Sequence, residues 1–470
     1  MDSESFRDSI ATINEEGKRN WIYPKKPQGK YYRTRLWVSA ILLALLFIGP
    51  FLRIGGQPLL LLNVLERKFV IFGLVFWPQD FHLFLLAMIT FVVFIVLFTV
   101  VLGRIWCGWA CPQTIFMEMV FRRIEYIIEG DAGQQKRLAK APWNWEKTWK
   151  KGLKFILFFL FSFWIANTFL AYIIGSDELI NIITDDPRNH VSGLASILLF
   201  TGVFYFVFAW FREQVCIVVC PYGRLQGVLL DRNTIIVAYN YLRGEKRAKF
   251  RKQEDRKKTE KGDCVDCNQC VAVCPTGIDI RNGTQLECVN CTACMDACDT
   301  VMQKVGLEEG LIGYNSEENI AKGESKLMTT RVKGYIGVLI FLLSLLIFLL
   351  TSRTKVETIL LRAPGQLYQE QIEGEISNLY TFEIVNKSMK EQTVEFQLES
   401  HEGSIQLIGL QEIKVQKQNL LKGSMFIKLE ESLLESAKTT IELGVYSNEL
   451  KIDDIETNFI GPAKTNQDEY

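Results

Sequence analysis

Twelve cysteines carry the clearest chemistry in this sequence, and all of them precede residue 299. Eight lie in two runs with the spacing C-x2-C-x2-C-x3-C, which begin at Cys264 (CVDCNQCVAVC) and Cys288 (CVNCTACMDAC). This spacing suits iron–sulfur ligation, because three thiolates on one tight loop can reach three corners of a cubane cluster. The sequence therefore predicts two 4Fe–4S clusters within residues 264–298.

In bacterial ferredoxins, whose spacing these runs have, the fourth cysteine of each run crosses to the other cluster. The predicted ligand sets are Cys264, Cys267, Cys270 and Cys298 for the first cluster, and Cys288, Cys291, Cys294 and Cys274 for the second. A pair of zinc sites is the alternative, since C-x2-C pairs also bind zinc. Zinc motifs normally use two ligands per loop, so the four-plus-four pattern favours clusters.

The other four cysteines form two C-x3-C-P motifs, RIWCGWACP with Cys107 and Cys111, and REQVCIVVCP with Cys216 and Cys220. If each motif is helical, its two sulfurs are four residues apart and share a face. Soft thiolates favour Cu(I) or an iron–sulfur centre. These four residues are therefore a candidate copper or redox site, and the alternative is that they are small buried residues at helix ends.

Five apolar runs are long enough to cross a bilayer, which takes roughly 20 residues. They are Leu36–Leu52, Phe81–Leu102, Leu153–Ile174, Val191–Phe211 and Gly334–Thr351. A sixth apolar stretch, Leu59–Trp77, contains Glu66, Arg67 and Lys68, and three charges at mid-membrane would be costly. We therefore expect this stretch to be interfacial or re-entrant.

The first four spans read as a duplicated hairpin, because each pair of spans leads into one C-x3-C-P motif. Lys and Arg are concentrated before the first span, after the second and after the fourth, which predicts that these segments are cytoplasmic. With five spans, the N-terminus is then cytoplasmic and the C-terminus periplasmic, in the inner membrane. All twelve cysteines fall at or on the cytoplasmic side, where thiols stay reduced.

Charge is unevenly distributed although the formal net charge is zero. Residues 243–261 hold ten Lys or Arg against four Asp or Glu, and residues 353–470 hold twelve against twenty. We expect the basic stretch to be a solvated linker beside anionic lipid, and not a nucleic-acid site. No histidine lies inside a span for haem, and no glycine-rich phosphate loop or flavin fingerprint is present.

After the fifth span, short alternating strands separated by turn signals predict a small β-sandwich. The fold class is thus a multi-domain membrane protein, with an α-helical bundle of about five spans, an inserted ferredoxin-like domain and an immunoglobulin-like C-terminal sandwich. The expected domains are a cytoplasmic segment (1–35), a four-span domain (36–232), a basic linker with the ferredoxin domain (233–333), the fifth span (334–352) and a periplasmic sandwich (353–470).

The layout resembles the cytochrome c oxidase accessory protein family called CcoG, FixG or RdxA. The resemblance covers nearly the whole chain and is carried by four motifs and the β-rich tail. The motifs are Lys68–Phe81, Arg104–Glu125, Cys216–Asp231 and Cys294–Met302. The resemblance implies a cytoplasmic-membrane protein that is needed for maturing a cbb-type haem–copper oxidase. It further implies that this protein reduces Cu(II) to Cu(I), for delivery to that oxidase or its copper-delivery factors.

Three hypotheses follow for the function. In the first, the protein is a cupric reductase fed by an unidentified donor, quinol or a cytoplasmic reductant. In the second, it is a ferredoxin-type electron carrier to a partner reductase, without copper chemistry. In the third, the clusters are structural and the chain is a non-redox assembly scaffold for the oxidase.

Overall fold

A computed structural model describes most of the chain. The described residues are 11–13, 16, 18–64, 67–251, 256, 258–323, 328–354, 356–365, 367–371, 374–388, 390–434, 436–447 and 450–462. Glu66 and the two ends of the chain, 1–10 and 463–470, lie outside them. The chain divides into two compact units, residues 1–346 and residues 347–470.

The first unit is mainly helical. Its helices are α1 Lys30–Ile48, α2 Phe81–Leu102, α3 Ile105–Trp109, α4 Pro112–Ile115, α5 Arg122–Ile128, α6 Ala132–Lys140, α7 Trp145–Ile174, α8 Ser176–Thr184, α9 Val191–Phe206, α10 Pro221–Leu229, α11 Tyr241–Gly244, α12 Gln269–Ala272, α13 Ala293–Val305, α14 Glu317–Lys322 and α15 Thr330–Thr351, the last of which runs into the second unit. Three π-helical stretches join them, at Phe116–Phe121, Val207–Phe211 and Val215–Val219.

Five helical segments in the described chain are long and apolar enough to cross a membrane. They are Lys30–Phe51, Phe81–Leu102, Trp145–Ile174, Pro187–Phe211 and Thr330–Thr351. Each contains or largely covers one predicted span, so the expectation of a five-span membrane protein is confirmed. Four begin earlier in the sequence than expected, because helical turns with polar or charged residues precede the apolar part.

The stretch expected to be interfacial or re-entrant forms a three-stranded antiparallel sheet, in the order β3-β4-β5. The first unit's strands are β1 Arg53–Ile54, β2 Gln57–Pro58, β3 Leu60–Asn63, β4 Lys68–Ile71, β5 Leu74–Phe76, β6 Ile236–Tyr239 and β7 Ile312–Asn315. Phe72 and Gly73 join β4 to β5 with φ of 51° and 78°. Positive φ at both turn residues is the signature of a tight type I′ hairpin.

The second unit is a sandwich of two antiparallel sheets, in the orders β12-β14-β10-β8 (with β9 beside β10) and β13-β11-β15-β16. Its strands are β8 Val356–Arg362, β9 Gln369–Glu370, β10 Glu375–Asn386, β11 Gln392–Leu398, β12 Gly403–Ile408, β13 Ile413–Val415, β14 Leu420–Glu430, β15 Lys438–Ser447 and β16 Leu450–Ile460. Alternate residues of β10, such as Tyr380 and Phe382, fill the core between the sheets. The buried Tyr380 hydroxyl donates to the Asn458 carbonyl of the facing sheet at 2.9 Å, which satisfies its polar group.

The cysteine-rich part of the first unit is a small fold that contains one pair of strands and two helices. Strands β6 and β7 pair antiparallel, helix α12 lies within the first cysteine run, and α13 begins within the second. Helix α1 begins against this part, because the Asp296 carboxylate accepts hydrogen bonds from the Tyr31 and Tyr32 amides at 3.1 and 2.7 Å. Such a carboxylate satisfies the free N–H groups of a helix start, and it connects the first span to the cysteine-rich fold.

Candidate metal centre

The two cysteine loops have the same backbone design. Left-handed residues flank the middle cysteine of each: Asp266 and Asn268 with φ of 51° and 54°, and Asn290 and Thr292 with φ of 52° and 65°. Asn and Asp tolerate this conformation, whereas a β-branched Thr rarely adopts it. A turn on each side of the middle residue curls the loop, which brings its three thiols toward one point.

The second loop encloses a cavity with about 350 Å³ of space, including its opening. The thiols of Cys274, Cys288, Cys291 and Cys294 line it together, and these are the four ligands predicted for the second cluster. Apolar side chains, among them Val289, form much of the remaining wall. Four soft sulfur donors around an apolar cavity fit a 4Fe–4S cluster, and Cys270, a predicted ligand of the first cluster, lies at the edge.

The predicted ligands of the first cluster lie close to this cavity, in a core that Cys288 and Cys294 also contact. Cys264, Cys270 and Cys298 are buried in one core, whereas Cys267 is exposed. Burial, followed by the negative charges of Cys270, Asp299 and the other first-loop thiolates, raises the pKa of Cys298 to about 12. Cys298 thus lies with thiols of the first loop and Cys274 with those of the second, and the crossed ligation of two clusters stays a prediction.

Burial also raises the pKa of the second-loop thiols, to about 12 for Cys288 and about 11 for Cys291. Thiolates in such a site need nearby positive charge, which a bound metal supplies. Within the described residues, no three His, Cys, Asp or Glu side chains form a group that could hold a single metal ion.

The C-x3-C-P motifs do not form the continuous helices that we expected. Cys107 lies in the short helix α3, but Cys111 is extended (φ −62°, ψ 124°) and precedes Pro112 at the start of α4. Cys220 is likewise extended (φ −64°, ψ 112°) before Pro221. Proline disfavours helical geometry in the residue before it, so each motif breaks at its second cysteine and not beyond it.

The predicted repeat is visible in the backbone before each motif. Gly103 ends the second span with φ 54° and ψ −127°, and Arg212 ends the fourth with φ 54° and ψ −126°. Both residues stand four positions before the first cysteine of their motif. A glycine adopts this conformation freely, whereas an arginine must be held in it.

The two motifs meet at a common place beside the second cluster loop. Cys107 and Cys216 pack against Val289 and Cys291 of that loop. Burial raises the pKa of Cys216 to about 12, with the charges of Cys111, Cys107 and Cys220 acting in the same direction. Cys107 and Cys216 thus contact the second cluster loop, and Cys111 and Cys220 lie close enough for their charges to act on Cys216.

Close contact at this place depends on Gly108, between the cysteines of the first motif. A β-carbon there would lie 2.6 Å from the carbonyl oxygens of both Val289 and Asn290. Arg35 of α1, which is 3% exposed, donates from Nε to the Gly108 carbonyl at 2.6 Å. Its Nη1 lies 3.5 Å from the Cys291 carbonyl, so one guanidinium spans the first motif and the second cluster loop.

Gln226 contributes a further polar contact in this region. Its side chain is fully buried in α10, and its Nε2 donates to the Cys107 sulfur at 3.4 Å. Sequence reasoning identified neither Arg35 nor Gln226 as a site residue. The sequence signals that could have indicated them were, for Arg35, a charged residue at the start of an apolar run and, for Gln226, an amide six residues after Cys220.

A buried ion network lies under the second motif. Arg212 makes two hydrogen bonds to the Glu125 carboxylate, at 2.7 and 2.8 Å. Burial opposes ionisation of Glu125, but the charge and hydrogen bonds of Arg212 outweigh it and hold the pKa of Glu125 at about 2. Lys154 of α7 lies 3.6 Å from Glu125 and 2.9 Å from Glu129, so the network connects the third span to the end of the fourth.

Three arginines near the motifs therefore have structural partners. Besides Arg212, Arg122 pairs with Glu118 and lies 3.5 Å from Glu213. Arg104 donates to the Leu286 carbonyl and, at 2.5 Å, to the Gly223 carbonyl.

Comparison with known sequences matches three parts of the chain to described families. Residues 211–317 match the profile of a 4Fe-4S dicluster domain, residues 84–129 a 4Fe-4S binding domain, and residues 346–462 the IG-like fold at the C-terminal of FixG. Together with the five apolar helices and the β-sandwich, these matches confirm the predicted fold class. They define a membrane-bound, ferredoxin-type iron–sulfur protein.

Full-length relatives give the family. The chain is 33% identical to Protein RdxB of Cereibacter sphaeroides over 86% of this chain and 90% of RdxB, and 31% identical to Nitrogen fixation protein FixG of Rhizobium meliloti over 81% of this chain and 80% of FixG. Protein RdxA of Cereibacter sphaeroides is 35% identical over 63% of this chain and 62% of RdxA. The chain therefore belongs to the FixG/RdxA family.

One solved structure is also similar to part of the chain. It is the FixG-related protein from Vibrio parahaemolyticus, with 26% identity over 23% of this chain and 97% of that one, at a TM-score of 0.20.

Proposed function

We propose that this protein is a membrane-bound electron-transfer protein that reduces Cu(II) to Cu(I) for the assembly of a cbb-type cytochrome c oxidase. The observation that carries the proposal is the packing of Cys107 and Cys216 against the second cluster loop. Four thiols that gather beside a one-electron relay form a suitable acceptor site for a soft metal ion.

The clusters, when bound, supply single electrons at low potential. The chain's own residues hold the copper substrate and bring it close to the relay. Cys107, Cys111, Cys216 and Cys220 do not form a closed ligand set in the described structure and would bind the ion by moving closer together; Cu²⁺ would then accept one electron to become Cu⁺, which thiolates favour over Cu²⁺. Gln226 would orient the Cys107 sulfur, and Gly108 would keep the copper site in contact with the loop of Cys291.

The orientation of the chain belongs to the same proposal. The N-terminus and the ferredoxin domain would be cytoplasmic and the C-terminal sandwich periplasmic, as the distribution of Lys and Arg favours. The sandwich would then contact the oxidase or its copper-delivery factors. Reporter fusions at the two termini test this, and the same reporter phenotype at both ends would contradict five spans with opposite termini.

The copper step is tested with Cys216→Ser/Cys220→Ser in anaerobically purified, cluster-loaded protein. We expect loss of Cu(II) reduction in a Cu(I)-chelator assay, while the cluster absorbance stays unchanged. Val218→Ser/Val219→Ser is the matched control, because these exposed residues lie between the two cysteines. Undiminished reduction in the cysteine variant would remove both thiols from the reaction.

The two rival functions make different predictions. A pure electron carrier would not bind Cu(I) at these thiols, so a Cu(I) titration of the loaded protein separates it from a cupric reductase. A scaffold would fail in oxidase maturation when residues 353–470 are deleted, but would tolerate Cys264→Ser or Cys288→Ser. Normal maturation with either cluster ligand changed would contradict the redox proposal.

A further inference from the structure

The two cluster sites differ in their access to water. All four thiols predicted for the second cluster line a cavity whose neighbours include Cys107, Cys216 and Arg35. In the first set Cys267 is exposed. The thiols of the second set are buried or half-buried, so the more open end of the relay, where a protein in solution can approach most closely, is the edge around Cys267.

The basic stretch, residues 243–261, lies against this open end. The Ala248 amide donates to the Cys264 carbonyl at 3.2 Å, and the Asp263 amide to the Arg243 carbonyl at 2.9 Å. Arg256, which is buried, also reaches the Cys264 carbonyl at 3.1 Å. The basic stretch is therefore fixed beside the first cluster loop within the part of the chain that the structure describes, and is not simply a free linker.

Several cations of the basic stretch have exposed side chains. Lys246, Lys249 and Arg251 are exposed, and on the other side Lys25 donates to Gln269, two residues after Cys267, at 3.3 Å. The acidic groups on the same face are mostly engaged by cations: they are Glu245 with Arg247 at 2.6 Å, Asp266 with Arg281 at 2.8 Å and Glu260 with Lys246 at 3.8 Å. The basic stretch has a net charge of 10 − 4 = +6 in sequence, so a positive field surrounds the open end.

We infer that this face binds a small acidic electron-carrier protein, of the ferredoxin or flavodoxin type, that supplies electrons to the first cluster. The inference extends the proposed function by naming the class of its donor. Complementary charge steers such partners and raises their association rate. A lipid surface would also suit the cations, but it does not explain why they are fixed beside the loop that carries the one exposed cysteine of the described chain.

The electron step is simple to balance. The reduced iron–sulfur or flavin centre of the donor loses one electron and is oxidised by one equivalent. Cys264, Cys267, Cys270 and Cys298 would hold the group that accepts that electron, and the transfer would form or break no bond and move no proton. The second cluster and the C-x3-C-P thiols then lie on the far side of the relay from the donor.

The test uses the full-length, cluster-loaded protein in nanodiscs and reduced plant-type [2Fe–2S] ferredoxin, a small acidic protein, as the probe. Stopped-flow absorbance follows reduction of the clusters at low ionic strength, about 0.01 M, where surface charges act over about 30 Å. The variant is Lys246→Glu/Lys249→Glu/Arg251→Glu. The matched control is Lys136→Glu/Lys140→Glu/Arg137→Glu on α6, which makes the same charge change on another exposed basic surface.

We expect the second-order rate for the variant to fall roughly tenfold or more, and the wild-type rate to fall as salt is added. The control should change less than about twofold. Photoreduced deazaflavin, a small uncharged reductant, should reduce all three proteins at equal rates, which shows that the clusters are intact. Because no copper is present, this result is independent of whether the protein is a cupric reductase.

Equal rates with ferredoxin for the variant and the wild type would overturn the inference. The inference would also be overturned if the basic stretch bound only lipid. In that case, phosphatidylglycerol in the nanodisc would raise the melting temperature of the wild type but not of the variant, and ferredoxin would reduce both equally.

Discussion

The loop of Cys264–Cys270 and the loop of Cys288–Cys294 place left-handed residues at the same two positions, yet their surroundings are opposite. Cys267 in the first is exposed, whereas Cys291 in the second is 9% exposed and lies against residues of the membrane-helix part. The same local design thus surrounds two sites that differ in their exposure to water. The difference comes from the neighbours of each loop and not from the loops themselves.

The strongest way to break this comparison is to force the second loop away from its neighbours with Gly108→Val. The new side chain would collide with two backbone carbonyls, which cannot move aside as a flexible side chain can. We expect Cu(II) reduction to fall roughly tenfold or more, because displacement of a reacting group by about 1 Å is costly. Rapid-mixing reduction of the first cluster should be unaffected.

Gly133→Val is the control for that variant, because a side chain at Gly133 in α6 meets only open space. Full copper activity in Gly108→Val, with wild-type cluster content, would show that this contact is not needed.

A second variant, Glu125→Gln, loosens the ion network under the second motif and so acts on the buried end only. Because the folded pKa of Glu125 is about 2, below its unfolded value of about 4.3, its carboxylate contributes stability above about pH 4.3 that is lost as pH falls toward 2. The pH-dependent part of the difference from wild type should be about 3 kcal/mol at neutral pH and vanish near pH 2.

Thermal melting in detergent between neutral and acid pH measures this difference. Glu146→Gln is the control, since Glu146 is exposed and its pair with Lys150 is screened by water. A constant difference between Glu125→Gln and wild type at every pH would contradict a lowered pKa of Glu125.

A third variant, Arg35→Met, removes the buried positive charge that lies beside the second loop. Positive charge stabilises a reduced cluster, so we expect the reduction potential of the second cluster to become more negative while that of the first stays constant. Loss of the buried hydrogen bonds should also cost about 2 kcal/mol of unfolding free energy.

Potentiometric titration followed by electron paramagnetic resonance resolves the two clusters. Arg33→Met, at an exposed position two residues earlier, should leave both potentials unchanged. Equal shifts of both clusters in Arg35→Met would show that its charge does not distinguish them.

The smallest expected effect concerns the left-handed turn that the two loops share. Asn268→Thr copies the residue of the second loop into the first, where a β-branched side chain disfavours the left-handed turn by about 1 kcal/mol. Asn268→Gly, which adopts that turn freely, should stay within about 0.5 kcal/mol of wild type. Denaturant midpoints of the cluster absorbance measure both, and equal midpoints would mean that the turn is not strained.

The spans and the fold class were predictable because apolar length and cysteine spacing are local properties of the sequence. The strands within Leu59–Trp77 were not predicted. The charges there indicated only exclusion from the membrane, and Phe72–Gly73 is an unusual sequence for a hairpin turn with positive φ at both residues. The helical interpretation of the C-x3-C-P motifs neglected the restriction that each proline places on the preceding cysteine.

The contacts of Arg35, Gly108 and Gln226 could not be predicted in the same way. Arg35 and Cys291 are 256 residues apart in sequence, and nothing local in either segment indicates the other. The cysteine runs predict what each loop can bind, whereas the partners that distinguish the loops depend on how distant segments pack.

Arg212 gives the duplicated hairpins a specific evolutionary constraint. Its counterpart Gly103 is free to turn, so a substitution of Arg212 by glycine would relieve the backbone but leave the Glu125 carboxylate buried without its main cation. A stable replacement of Arg212 therefore requires a simultaneous replacement of Glu125. In related chains, the residues at these two positions should covary, while the residue equivalent to Gly103 changes independently.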